Sequence, residues 1–493
     1  MEPEHKRSCL GALAMIGAIV VSAAPPAAAQ VFERPPREEW LAANDFGYWS
    51  DGTRVRIDEA CLELPEEEQT DCSLEAFRAN PFVVVALVDS GINPYHQAFR
   101  APEFAHHPSS FVSGYPADAE SVELSLEVAD ASGYDAAKAS DADLFDELRG
   151  DRLYWVPGTR IIGAYVPGGG ACPSGCFLDN HSHGTSSASV AAGRFFGANP
   201  NALVVALRGD LPGALSWAAS QPWIDIVSNS WGTIANLPET DQMEVVEATK
   251  VATDRGQSVA FAAGNGAALT EVQALGCDCQ DPGSLSTLTS NWAGPSWHLT
   301  VGAASPVHGQ PYWWHDTPVD VVSFGRWWLS AHWQGVTLED ARDFGGTSNA
   351  TPVVAGALSS IIERAREVLG DTGEGQRPGG AVAVAGPDAD LPPTGPLSDG
   401  VLTRTEAEGI LLRTARHVLF DEETATQDVS IRPTTGTPFD HLVQGYGLVD
   451  RDAAALADRV LLGLAPMPDR SDVDQTMLLT DAVRDAIWER TGP

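Results

Sequence analysis

Phe82-Val83-Val84-Val85-Ala86-Leu87-Val88-Asp89-Ser90-Gly91 is a short apolar run that ends in a carboxylate and a glycine. It does not alternate polar with apolar residues, which marks a strand covered on both faces, as parallel strands are. Similar runs recur at 202–207, 224–228, 258–262, 298–301 and 319–322. Helix-like stretches lie between several of them, at 185–192, 214–220 and 243–254. Strands alternating with helices predict an α/β fold, with helices packed on a largely parallel central sheet.

Composition narrows the setting. The chain has 493 residues, 43% of them hydrophobic, enough for one large domain or two to three ordinary ones. Lys6 and Arg7, an apolar run over 10–24 and Ala27-Ala28-Ala29 read as a signal peptide, residues 1–29, cleaved after Ala29. No later segment is apolar and long enough to span a bilayer, so the expected product is secreted, extracellular or periplasmic, with no stable membrane insertion. Removing Glu2, Glu4, Lys6 and Arg7 takes two charges of each sign and leaves the net charge at −37. Such a surface repels nucleic acid and anionic membranes. Loss of Cys9 leaves six cysteines, an even number that fits disulfides in an exported chain. Cys61 with Cys72 and Cys172 with Cys176 would close short loops, whereas Cys277-Asp278-Cys279 is too tight for an unstrained bridge.

Residues 30–80 form an acidic, Pro-rich N-terminal extension. Residues 81–460 carry the strand and helix pattern, and 461–493 read as a C-terminal helical tail. Three insertions interrupt the rhythm, at 100–154, 266–295 and 307–332, and composition reads them as loops. Residues 371–400, rich in Gly, Pro, Ala and Asp, read as a flexible insertion.

Reactive side chains stand where apolar segments meet glycine: Val88-Asp89-Ser90-Gly91, His183-Gly184-Thr185 and Gly346-Thr347-Ser348-Asn349-Ala350-Thr351-Pro352. A carboxylate ending a buried strand is costly unless a fixed partner donates to it, which suits a residue that orients a histidine. Ser348 opens a helical stretch, so its N–H falls among the unpaired donors of a helix N-terminus. A fourth segment, Phe261-Ala262-Ala263-Gly264-Asn265-Gly266, ends a strand in an asparagine whose amide can donate to a developing oxyanion. Deleting such a donor typically costs about 3 kcal/mol.

These four segments, in the order Asp, His, Asn, Ser, resemble the boxes of the subtilisin-like serine proteases, the subtilases or peptidase family S8; that order for the triad is itself a stated property of subtilisin. Two more segments add to the resemblance. Asp225-Ile226-Val227-Ser228-Asn229-Ser230-Trp231-Gly232 is similar to the strand that pairs with substrate, and Gly445-Tyr446-Gly447-Leu448-Val449-Asp450 to the family's closing motif. The resemblance implies a three-layer subtilisin-like α/β fold with long loop insertions. It further implies Ser348 as nucleophile, His183 as general base and then acid, Asp89 as the orienting carboxylate, Asn265 in the oxyanion hole, and Ser230, Trp231 and Gly232 in substrate binding. Protein or peptide substrates follow. No metal or other cofactor is needed for the chemistry, structural calcium has no assignable site, and the oligomeric state is open.

The chain departs from the family in places. Asn349 stands where methionine is usual, and Ser186-Ser187-Ala188-Ser189 replaces the usual valine-alanine-glycine run. Asp89 and His183 lie 94 residues apart, and 30–80 is too short for the usual inhibitory prodomain. Of the two neighbouring histidines, only His183 is followed by Gly-Thr, so it and not His181 is read as the base. Cys172, Cys176, His181 and His183 also make a zinc-like set, which export and the even cysteine count disfavour. The group Trp313, Trp314, Trp327, Trp328 and Trp333 reads as packing. A catalytically inactive or partner-binding protein of this fold, and a peptide ligase or cyclase, are the alternative functions.

Overall fold

The computed structural model describes residues 80–102, 104–172, 175–195, 197–209, 211–231, 239–265, 296–304, 311–312, 319–325, 328–371, 380–417, 444–471, 473–475, 477–478 and 481. The signal peptide, the extension up to residue 79, Gly232, residues 266–295 and all cysteines but Cys172 and Cys176 lie outside the described residues.

In chain order the principal elements are β1 (Val84–Asp89), β2 (Ile161–Tyr165), α1 (His183–Ala192), β3 (Leu203–Arg208), α2 (Leu211–Ser220), β4 (Ile226–Asn229), α3 (Glu239–Asp254), β5 (Ser258–Ala262), β6 (Leu299–Ala304), β7 (Val321–Phe324), β8 (Trp328–Ala331), β9 (Ala341–Phe344), α4 (Thr347–Leu369), α5 (Arg404–Thr414) and α6 (Arg451–Leu461). Seven strands run parallel in the order β7-β6-β5-β4-β1-β3-β2. Short strands extend this sheet at both sides, and β8 and β9 form a separate antiparallel pair.

β1 shows why the strands are mostly apolar. Val83, Val85 and Leu87 pack on one side with α1 and α4, whereas Val84, Ala86 and Val88 pack on the other with α2 and α3. Residues Val84 to Val88 are at most 3% exposed. Both faces are covered, so the fold is helix, sheet, helix in three layers. It is a mixed α/β fold with a mostly parallel central sheet, as the sequence predicts.

Two stretches differ from expectation. The acidic insertion is not all loop: Leu126–Ser132, Tyr134–Ser140 and Ala142–Glu147 are helices. Each has six or seven residues and fully buries only one or two apolar side chains, Ala129, then Tyr134 and Ala137, then Phe145, all in the main core. Anchors so sparse leave no helical period in the sequence. Within 371–400, Ala381–Val384 pairs with Val401–Thr403 as a two-stranded sheet, where composition pointed to a flexible insertion. Of the tail, residues 471, 473–475, 477–478 and 481 are helical, and Val473 and Met477 are buried.

Among the described residues no helix is long and apolar enough to cross a membrane.

Candidate active site

The C-terminal ends of β1, β3, β4 and β5 open on one edge of the sheet, where the chain reverses its winding about β1. Such an edge is the usual place for a site in an open α/β sheet. A cleft of 720 Å³ lies there, lined by Asp89, His183, Ser230, Trp231, Asn265 and Ser348 among others. Six of the seven residues read from the sequence thus gather in one place; the seventh, Gly232, lies outside the described residues.

Asp89 continues β1 on the side of α1. Its carboxylate accepts from His183 Nδ1 at 2.8 and 2.9 Å, from the Ser90 N–H at 2.7 Å and from Ser187 Oγ at 2.9 Å. Burial pushes its pKa up, but the charge and hydrogen bond of His183, followed by the Ser90 and Ser187 donors, pull it below the ordinary value. The carboxylate therefore stays ionised although only 7% exposed.

His183 is the first residue of α1. Burial depresses its pKa, and the Asp89 charge and hydrogen bond outweigh that, so the net shift is upward. With Nδ1–H committed to Asp89, the neutral tautomer carries its lone pair on Nε2. Phe344 stands edge-on to the imidazole at 5.2 Å between centroids. The ring is thus held by a carboxylate on one atom and an aromatic edge on its side.

The start of α1 is fixed by a residue that the sequence reading missed. Asp179, 2% exposed, accepts from Ser90 Oγ, the His181 N–H and the Ser182 N–H on one oxygen, each at 2.9 Å. Its other oxygen accepts from the Thr185 N–H at 2.9 Å and Thr185 Oγ1 at 2.6 Å. These bonds hold Ser182 in the left-handed region, φ 73°, a conformation costing roughly 1–2 kcal/mol without glycine. Asp179 stands three residues before Ser182, the residue at the usual capping position, so the ordinary capping signal does not point to it. Gly184 packs on Gly91, where a Cβ would come within 2.2 Å of the Gly91 carbonyl oxygen. Only glycine lets α1 approach β1 closely enough for His183 to reach Asp89.

The serines after His183 have reasons here. Ser187 faces Asp89, and Ser189 Oγ accepts from the Ala331 N–H at 2.9 Å, tying β8 to α1. Cys172 and Cys176 form a disulfide.

Ser348 is the second residue of α4. Gly346 before it has φ 77°, and a Cβ there would lie 2.6 Å from Asn265 Oδ1. Asn265 Oδ1 accepts from the Thr347 N–H at 2.8 Å and Thr347 Oγ1 at 3.0 Å. Because a backbone N–H only donates, this fixes the amide with Nδ2 directed away from Thr347. Among the described residues neither Asn265 Nδ2 nor the Ser348 N–H has a hydrogen-bond partner. The Ser348 hydroxyl donates to the Ser230 carbonyl at 3.0 Å, not to His183. The structure brings serine and histidine to one cleft without joining them directly.

Residues 175–374 match the model of the Subtilase family, a span that takes in His183, Asn265 and Ser348 but not Asp89. The similarity to subtilases read from the four segments is thereby found over those residues. Among solved structures, the epidermin leader peptide processing serine protease EpiP from Staphylococcus aureus is 15% identical over 76% of this chain and 75% of its own, with a TM-score of 0.41. The prenylagaramide maturation protease PagA is 14% identical over 80% of this chain and 99% of its own, with a TM-score of 0.38. Likenesses this slight carry no argument about this chain. No curated protein matches it.

Proposed function

We propose that this chain is a secreted serine endopeptidase that hydrolyses peptide bonds through an acyl-enzyme on Ser348. The observation that carries this reading is the Asp89–His183 pair opening on the same cleft as Ser348. The reading makes 1–29 a signal peptide, 30–80 an extension, 81–460 the peptidase domain and 461–493 a tail. Substrates are proteins or peptides, with main chain laid along Ser230, Trp231 and Gly232.

In this mechanism the Ser348 hydroxyl leaves the Ser230 carbonyl by rotation about χ1 and donates to His183 Nε2. As Oγ attacks the substrate carbonyl carbon, Nε2 takes its proton and Asp89 stabilises the imidazolium. The carbonyl oxygen becomes an oxyanion, met by the Ser348 N–H and Asn265 Nδ2. The C–N bond then breaks as the imidazolium gives its proton to the leaving amine. Water, deprotonated by the same nitrogen, then attacks the acyl carbon, and the acyl C–Oγ bond breaks as the imidazolium returns that proton to Ser348 Oγ. The route uses no metal or other cofactor.

A pH profile tests the base. The working imidazole is neutral, and Asp89 raises the His183 pKa. On the acid side kcat/KM should therefore rise with pH through a midpoint above the ordinary imidazole value of about 6.5. A midpoint well below that value, or a flat profile from pH 5 to 8, would contradict the assignment.

One observation favours a second reading. Because Ser348 donates to Ser230 and not to His183, a partner-binding protein that keeps this cleft without turnover accounts for the resting arrangement too. It predicts binding of unfolded polypeptides without product formation.

A further inference from the structure

Arg208 ends β3 and is the register partner of Asp89 on the neighbouring strand. Alternation along β3 puts it on the same side of the sheet: Val204 and Ala206 pack with the α1 and α4 layer, Leu203, Val205 and Leu207 with the other. The guanidinium thus stands beside the Asp89–His183 pair and lines the same cleft.

Its own bonds hold it without satisfying it. Nη1 donates to the Cys176 carbonyl at 2.8 Å and the Leu178 carbonyl at 2.7 Å. Among the described residues Nε and Nη2 have no hydrogen-bond partner, and neither is among the sealed-off polar atoms. Among the described residues no carboxylate lies within ion-pair distance of Arg208. Of the arginines among the described residues, Arg208 alone lines this cleft.

In a chain with 67 acidic and 30 basic residues, Arg208 has the charge of Asp179 nearby, which offsets part of the cost of its burial, but no carboxylate among the described residues accepts a hydrogen bond from its guanidinium. The nearby acids are committed: Asp89 to His183, Ser90 and Ser187, and Asp179 to five donors. Two free donors of a planar, partly buried guanidinium match one carboxylate, the geometry arginine recognises best.

We infer that Arg208 selects peptide substrates with an acidic side chain close to the scissile bond. This rests on the reading of Ser348 as nucleophile and names the class of substrate for that site. Arg208 acts here as a specificity determinant and takes no part in bond breaking. The rival role is structural, a latch from β3 to the segment before His183.

The test uses fluorogenic peptides with Glu or Gln at each of four positions on either side of the cleaved bond, assayed with the purified full chain. At one position the wild type should cleave the Glu peptide with a kcat/KM about tenfold or more above its Gln counterpart, as expected for a hydrogen-bonded charge. That ratio should fall to near one in Arg208→Gln, and Arg208→Glu should prefer Lys at the same position. A wild type without acidic preference at any position overturns the inference, as does a ratio that survives Arg208→Gln. Fluorophosphonate labelling of each variant reports an intact Ser348. Absent labelling of the wild type overturns the nucleophile reading itself, whereas labelling without an acidic preference overturns only the role of Arg208. Where Arg208→Gln does not fold, the wild-type ratio should shrink as salt rises to 1 M, because a screened contact weakens; a salt-insensitive ratio also overturns the inference.

Discussion

Ser348→Ala is expected to lower kcat for peptide hydrolysis by about 10⁶-fold, the scale on which a serine nucleophile acts together with its base. Every covalent step of the proposed route uses Oγ, and the neighbouring Thr347 hydroxyl at the start of α4 is already engaged, donating to Asn265 Oδ1 and accepting from the Gly264 N–H. The fold should survive. Ser348 is half-buried, and its hydroxyl makes one hydrogen bond, to the Ser230 carbonyl. Losing it costs about 1 kcal/mol, which lowers Tm by a few degrees in a domain of this size. Turnover measured beside a thermal melt separates the two effects. Substantial activity in a folded variant would move the nucleophile elsewhere.

Asp89→Asn should cost about 10⁴ in kcat while changing the shape of the site little. The cause is the tautomer. The carboxylate only accepts, so His183 must present Nδ1–H to it and keep Nε2 free. An asparagine amide donates to Nδ1 and moves the ring proton to Nε2, which then has no lone pair for the serine proton. The variant also loses the charge that raises the His183 pKa, so its remaining activity should titrate at lower pH. Steady-state rates across pH 5 to 9 check both effects. A variant within tenfold of wild type would mean that Asp89 does not govern the imidazole. Because Asp89, His183 and Ser348 act as one unit, combining this change with Ser348→Ala should add little further loss.

Much of this was legible in the sequence because strands buried on both faces write themselves as unbroken apolar runs. β5 falls on 258–262 as read, and β1, β3, β4, β6 and β7 lie within three residues of their expected ends. β2 was missed because Gly163 breaks a run of only five residues. The short helices between Leu126 and Glu147 were missed because six or seven residues with one or two fully buried apolar side chains each do not make a period.

The candidate site divides in the same way. Asp89, His183, Asn265 and Ser348 were readable because each stands within two residues of a glycine near the end of a regular element. Ser187 was not, since its bond to Asp89 spans 98 residues and a serine inside a helix has many uses. Arg208 is harder still, because its partners are main-chain carbonyls, which carry no residue signature. What a carbonyl holds becomes visible only when the chain is folded.

The most direct test of the central claim is mass spectrometry of the folded protein after treatment with a fluorophosphonate. A single adduct on Ser348, lost in Ser348→Ala and slowed in Asp89→Asn, is the predicted result. A folded, unlabelled wild type, or an adduct on any other residue, would contradict it.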